Sequence, residues 1–176
     1  MSIDRKTFIR QELAEARLLL LAAAAAIDDE TAIAGTENPQ WRVRDILAHL
    51  AGAERGLLRT VERFLARGEL PPGFSLDIWN QRQVEKRQPA GVADLVAELA
   101  ASRDEAWAML DRLSDSEMDV AGLHPAGLPT TVAGLFLTIA YHELDHGNEI
   151  RQTLALPIVR RADWSQALAV TEAPHG

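Results

Sequence analysis

The chain has 176 residues, a net charge of -8 and no cysteine. That length suits one domain with a real core. The negative charge disfavours a nucleic-acid partner, and the missing thiol excludes disulfides, thiolate metal sites and cysteine nucleophiles.

Hydrophobic residues make up 47% of the chain and aromatics only 5%. Ala and Leu supply much of the apolar content, which favours helices over strands. The first predicted helix runs from about Asp4, a plausible N-cap, to Asp28. It contains LLLLAAAAAI, Leu18 to Ile27. Ten apolar residues are too few for a membrane span, which needs roughly 20. Glu12 and Glu15 stand where a signal peptide would be basic. The segment therefore reads as a bundle helix, and the protein is expected to be cytoplasmic with no membrane partner.

TAIAGTENPQ follows as a turn-rich loop. The second helix spans about Val43 to Arg67, with Ile46, His49, Ala53, Gly56, Leu57, Thr60 and Phe64 along one stripe. Pro71, Pro72 and Gly73 then forbid a continuous helix. A short helix is expected near Asp77. The third long helix covers Val92 to Leu113, with Leu95, Leu99, Trp107 and Leu110 as core candidates. A loop with room for one helical turn leads to the fourth, Val132 to about Leu154, capped by Thr130 or Thr131. The last twenty residues have room for one short helix around Trp164. No period-two segment argues for a sheet. The expected architecture is all-α, a four-helix bundle with a long irregular crossover between helices 2 and 3. Residues 1–156 form the bundle, and 157–176 form a tail that packs on it or on a partner subunit.

The fourth helix carries YHELDHGNEIRQ, Tyr141 to Gln152. At about 100° per residue, His142 and His146 fall about 40° apart, on the same side as Leu135 and Ile139. Glu149 joins them one turn later, and His49 sits in the stripe of the second helix. One core imidazole bonded to a carbonyl is ordinary. Three turned toward one core each need partners, and a divalent metal satisfies them together. Three imidazoles suit zinc, nickel, iron or copper and leave a coordination position open, as catalytic sites do. His124, in a Pro/Gly-rich loop, and His175, near a terminus, read as bland, although His124 has the option of lining a pocket.

H-E-L-D-H also matches the zinc-protease pattern, in which Glu143 would be the general base. Against that reading, His49 already supplies an upstream ligand. The short tail offers only Asp163 and Glu172 as a downstream one, and no strand edge is expected for substrate.

WRVRDILAHLAGAE (Trp41 to Glu54) and YHELDHGNEIRQ together resemble the two ligand helices of the DinB-like metal-binding four-helix bundles. That superfamily includes mycothiol-dependent maleylpyruvate isomerases and bacillithiol or mycothiol S-transferases. The resemblance covers most of the chain. It implies His49, His142 and His146 as metal ligands, with Glu149, where many members have Gln, as a fourth ligand or an orienting partner. It also places DIWNQRQVEKR near the pocket mouth, so Trp79, Asn80 and Arg82 become pocket candidates. The implied function is a divalent-metal-dependent enzyme acting on a small molecule. It would be a thiol S-transferase using bacillithiol or mycothiol, or a hydrolase with Glu149 or Glu143 as base. The implied assembly is a homodimer. The isomerases' second domain has no counterpart here, so their activity is not carried over. The alternative is a non-catalytic, metal-stabilised or ligand-binding bundle.

Overall fold

The computed structural model describes residues 4–168. Four long helices, α1 (Arg5–Ala24), α3 (Val43–Leu65), α5 (Val92–Arg112) and α7 (Val132–Thr153), form the expected bundle. Between them lie α2 (Asp29–Ala32), α4 (Leu76–Lys86) and α6 (Asp115–Met118). α3 is the central element and packs on α4, α5 and α7, whereas α1 packs chiefly on α7. No helix among the described residues is long and apolar enough to cross a membrane.

Side-chain caps set the ends. The Asp4 carboxylate accepts from Thr7 N at 3.1 Å to open α1. The first helix ends at Ala24, four residues short of the expected Asp28. Asp28 instead accepts from Thr31 N at 2.8 Å and starts a new turn, α2. Thr131, one of the two expected caps, accepts from Gly134 N at 3.1 Å to open α7. The irregular crossover holds α4, capped by Ser75.

The absence of strand is corrected. Ala121–Leu123 (β1) pairs antiparallel with Pro129–Thr131 (β2). Gly127, at φ 80°, turns the hairpin between them. Strands of three residues are too short to show a period of two. Trp107, expected in the core, is only partly buried; the guanidiniums of Arg10 and Arg103 lie 5.4 and 5.7 Å from its ring centroid.

Residues 157–168 lie against α7 and α1. Arg160 donates to both carboxylate oxygens of Glu12, at 2.9 and 2.7 Å. Trp164 Nε1 donates to Asp145 at 2.8 Å, and Thr130 donates to Ala167 O at 2.7 Å. Gly134 admits this close approach, because a Cβ there would meet Ala167 O at 2.3 Å.

A layer of charge divides the apolar core into two clusters. Each long helix gives it one residue: Arg17, Glu54, Arg103 and Glu143, all at most 8% exposed. Arg17 Nη2 donates to Glu54 at 2.8 Å and Glu143 at 2.6 Å. Arg103 Nε donates to Glu54 at 2.7 Å, and its Nη2 lies 3.0 Å from Glu143 as an ion pair. Fully buried Ser102 donates to Glu54, and Arg17 also donates to Leu99 O at 2.5 Å. Two positive and two negative charges cancel. Burial still pushes the Glu143 carboxyl above its ordinary range, opposed by the Arg103 and Arg17 guanidiniums.

Such a layer adds little stability over an apolar core, but removing one partner strands the others. Arg103→Met leaves two buried carboxylates facing one guanidinium. It is expected to lower unfolding free energy by about 3–5 kcal/mol, read from the urea midpoint. A loss no larger than that of an exposed charge, such as Arg112→Met, would refute the layer's role.

Candidate metal centre

His49 comes from the first half of α3, and His142 and His146 come from successive turns of α7. Their ligand-capable nitrogens all lie within 4.8 Å of one another. His49 Nε2 and His142 Nε2 are 3.1 Å apart. A tetrahedral zinc with bonds of about 2.0–2.1 Å holds its nitrogens roughly 3.4 Å apart, so small side-chain rotations close the set. Trp41 packs on His49 with ring centroids 4.8 Å apart, fixing one side of the triad.

Burial brings His49 down to about 3, helped by the nearby His146, and pushes His142 well below its ordinary value. Both are neutral at pH 7, the state a metal requires of imidazole. His49 Nδ1 is buried without a partner, so Nε2 is the nitrogen directed at the cluster. Glu149 Oε2 lies 2.8 Å from His146 Nδ1. That contact leaves His146 Nε2 for a metal and matches the carboxylate–histidine–metal arrangement that fixes tautomer and ring angle.

His49 and His142 line a cavity of about 780 Å³, and His146 lies outside its lining. α3 lines it from His49 to Arg63, α7 contributes Thr138 and His142, and the hairpin adds His124 and Leu128. α4 closes a wall by lying against two glycines of α3. A Cβ at Gly56 would meet the Trp79 ring at 2.6 Å, and one at Gly52 would meet Gln83 at 2.8 Å. The wall is mostly apolar. Two of its threonines turn their hydroxyls back to the helices: Thr60 donates to Gly56 O at 3.0 Å, and Thr138 to Gly134 O at 2.9 Å.

Of the residues singled out in the sequence, Trp79 and Asn80 line this cavity together with His49 and His142. Two assignments are corrected. Arg82 is exposed and outside the lining, because the α4 face that meets α3 carries Trp79 and Gln83. Glu143 does not face the site; its offset of about 100° from His142 turns it into the charged layer, where it is 2% exposed and bound by Arg17. Its carboxylate is held there by Arg17 and Arg103, away from the three imidazoles. His124, read as bland, is part of the cavity wall. Its Nδ1 accepts from Ala126 N at 3.0 Å, which sets the proton on Nε2 in the neutral ring. Arg59 and Arg63 escaped the sequence reading, although their spacing from His49 along one helix was visible.

Residues 12–150 match the DinB superfamily. No curated protein matches the chain in sequence. Among solved structures, a mycothiol-dependent maleylpyruvate isomerase superposes with a TM-score of 0.66 at 13% identity over 81% of this chain. The chain spans 60% of that protein's length. YfiT from Bacillus subtilis, described as a probable metal-dependent hydrolase with an unusual four-helix bundle topology, superposes with a TM-score of 0.64 at 22% identity. That match covers 89% of this chain and 92% of YfiT. At these identities the two likenesses establish the fold.

The contact between Glu149 and His146 carries its own prediction. Glu149→Ala is expected to weaken zinc affinity by about 10–100-fold while leaving stoichiometry intact, as read by competition with a chromophoric chelator. Unchanged affinity would mean that Glu149 merely sits beside the histidine.

Proposed function

The chain belongs to the DinB superfamily, and on that premise we propose that it is a divalent-metal-dependent enzyme acting on a small molecule. The reading covers S-transfer from a low-molecular-weight thiol, bacillithiol or mycothiol, and hydrolysis. One observation carries it: three imidazoles from two helices converge, and two of them, His49 and His142, line a large apolar cavity, where a closed structural site would have four ligands and no cavity.

His49, His142 and His146 would hold the ion. When bound, it supplies Lewis-acid polarisation to a group brought against it. The protein's own residues do the rest. Glu149 orients His146. Trp79, Leu57 and Thr138 form walls that exclude water and strengthen polar interactions at the triad. His124 presents an Nε2–H donor to a bound molecule. Among the described residues no carboxylate lines the cavity, so a proton released by the attacking group passes to solvent. With no cysteine in the chain, a transferred thiol has to arrive as a small molecule. Two proteins of the same fold are described as a mycothiol-dependent isomerase and a probable metal-dependent hydrolase, which supports keeping both reaction types in the assay set.

Untagged wild-type protein is expected to carry about one transition-metal ion per chain, and His49→Ala to lose it. S-transfer from bacillithiol or mycothiol to an electrophile, and hydrolysis of activated esters and amides, are then assayed with both proteins. Metal-dependent turnover absent from His49→Ala supports the proposal. Wild type that stays metal-free after reconstitution would overturn it, and metal without turnover would leave a ligand-binding bundle.

A further inference from the structure

The cavity has a polarity that the histidines do not explain. Arg59 and Arg63, one turn apart on α3, both line it. Neither has a carboxylate within ion-pairing distance among the described residues, although acidic residues outnumber basic ones by 26 to 18. Arg17, Arg55, Arg87, Arg103 and Arg160 each meet a carboxylate oxygen at 2.6 to 2.8 Å; the arginines that, like Arg59 and Arg63, have no ion pair among the described residues lie outside the cavity lining.

Arg63 is half-buried. Its Nη2 donates to Leu123 O at 2.8 Å, while its Nε is buried without a partner. Burial lowers its pKa, with no carboxylate to offset that. Asn80, on the facing α4 wall, makes no side-chain hydrogen bond among the described residues. Arg59 is exposed and Arg63 half-buried on this wall; as like charges one turn apart they repel each other, a cost that a bound anion offsets.

Their position along the helix sets a length. At about 1.5 Å per residue, the Cα atoms of Arg59 and Arg63 lie roughly 15 and 21 Å from that of His49 along the axis. Helical side chains lean toward the N-terminus, so the guanidiniums approach the histidines to roughly 10–15 Å. Ala53, Gly56, Leu57, Leu76 and Trp79 line the space between.

We propose that the cavity selects elongated apolar molecules bearing one oxyanion, a carboxylate or a phosphate, at the end remote from the histidines, with Arg59 and Arg63 as its partners. The assignment of the opposite end as the reacting end rests on the metal-enzyme reading. The anion subsite itself rests on the two arginines.

The probes are decanoate, decyl phosphate, decanol and decyltrimethylammonium, each below its micellar concentration. They are titrated by calorimetry into wild type, Arg59→Gln/Arg63→Gln and His49→Ala. Folding is checked by far-ultraviolet circular dichroism, and metal content is measured on the same samples. Wild type is expected to bind decanoate or decyl phosphate at least about tenfold tighter than decanol and to exclude the cation. Whichever of the two anions binds more tightly identifies the oxyanion preferred. The double arginine variant is expected to keep its metal and its decanol affinity but lose the preference for anions. His49→Ala, lacking the metal, is expected to retain that preference, which separates this inference from the metal reading. Equal binding of decanol and both anions would overturn the proposal. So would an anion preference that survives in Arg59→Gln/Arg63→Gln, since the anion would then be held at the histidine end. A folded single variant, Arg63→Gln, serves if the double variant fails to fold, with the same readings.

Discussion

The four-helix charge layer is the constraint on which the site's geometry depends. Arg17, Glu54, Arg103 and Glu143 come from four different helices and leave little rotational freedom in any of them. Glu143 follows His142 directly on α7, and Glu54 lies little more than one turn beyond His49 on α3. Once Glu143 faces inward to Arg17 and Arg103, His142 and His146 must emerge on an adjacent face, toward α3. Apolar contacts alone would tolerate modest sliding and rotation, because they are non-directional. Hydrogen-bonded ion pairs are directional, and misplacing one leaves buried charge uncompensated. The layer thus gives positional specificity to a bundle whose apolar surface is largely Ala and Leu.

Around that frame the two ends of the cavity differ in electrostatic character. At the histidine end, burial keeps the His49 and His142 imidazoles neutral and available as donors of lone pairs. At the other end, Arg59 and Arg63 have no acidic partner among the described residues. The intervening wall is apolar because two of its threonines satisfy their own helices and because glycines at 52 and 56 let α4 press Trp79 and Gln83 onto α3. On the proposed reading, a matching substrate is apolar along its length and polar at its tips.

Much of the fold was legible in the sequence because its determinants are local. The α3 stripe, the prolines at 71 and 72, and the Thr131 cap act over a few residues. The end of the first helix was misjudged because Ala25 and Ala26 tolerate helix, and the decision belongs to Asp28, whose carboxylate caps α2 instead. The hairpin at 121–131 escaped because its pairing is stated by backbone bonds rather than by side-chain alternation.

By itself the sequence determined that there would be four long helices, that His142 and His146 would share one helix face, and that His49 would lie on the apolar stripe of another. These follow from the periodicity of a single helix. Tertiary structure alone decided that His49 would meet His142 at 3.1 Å, that Glu143 would turn away into an ionic layer, and that Trp79 rather than Arg82 would enter the wall. It also decided that His124, from a loop some twenty residues earlier, would join that wall. The physical reason is that a helix fixes angles only within itself. Which face meets which neighbour is set by long-range pairing of charge, by glycine gaps and by packing, and none of these has a period that can be read along the chain.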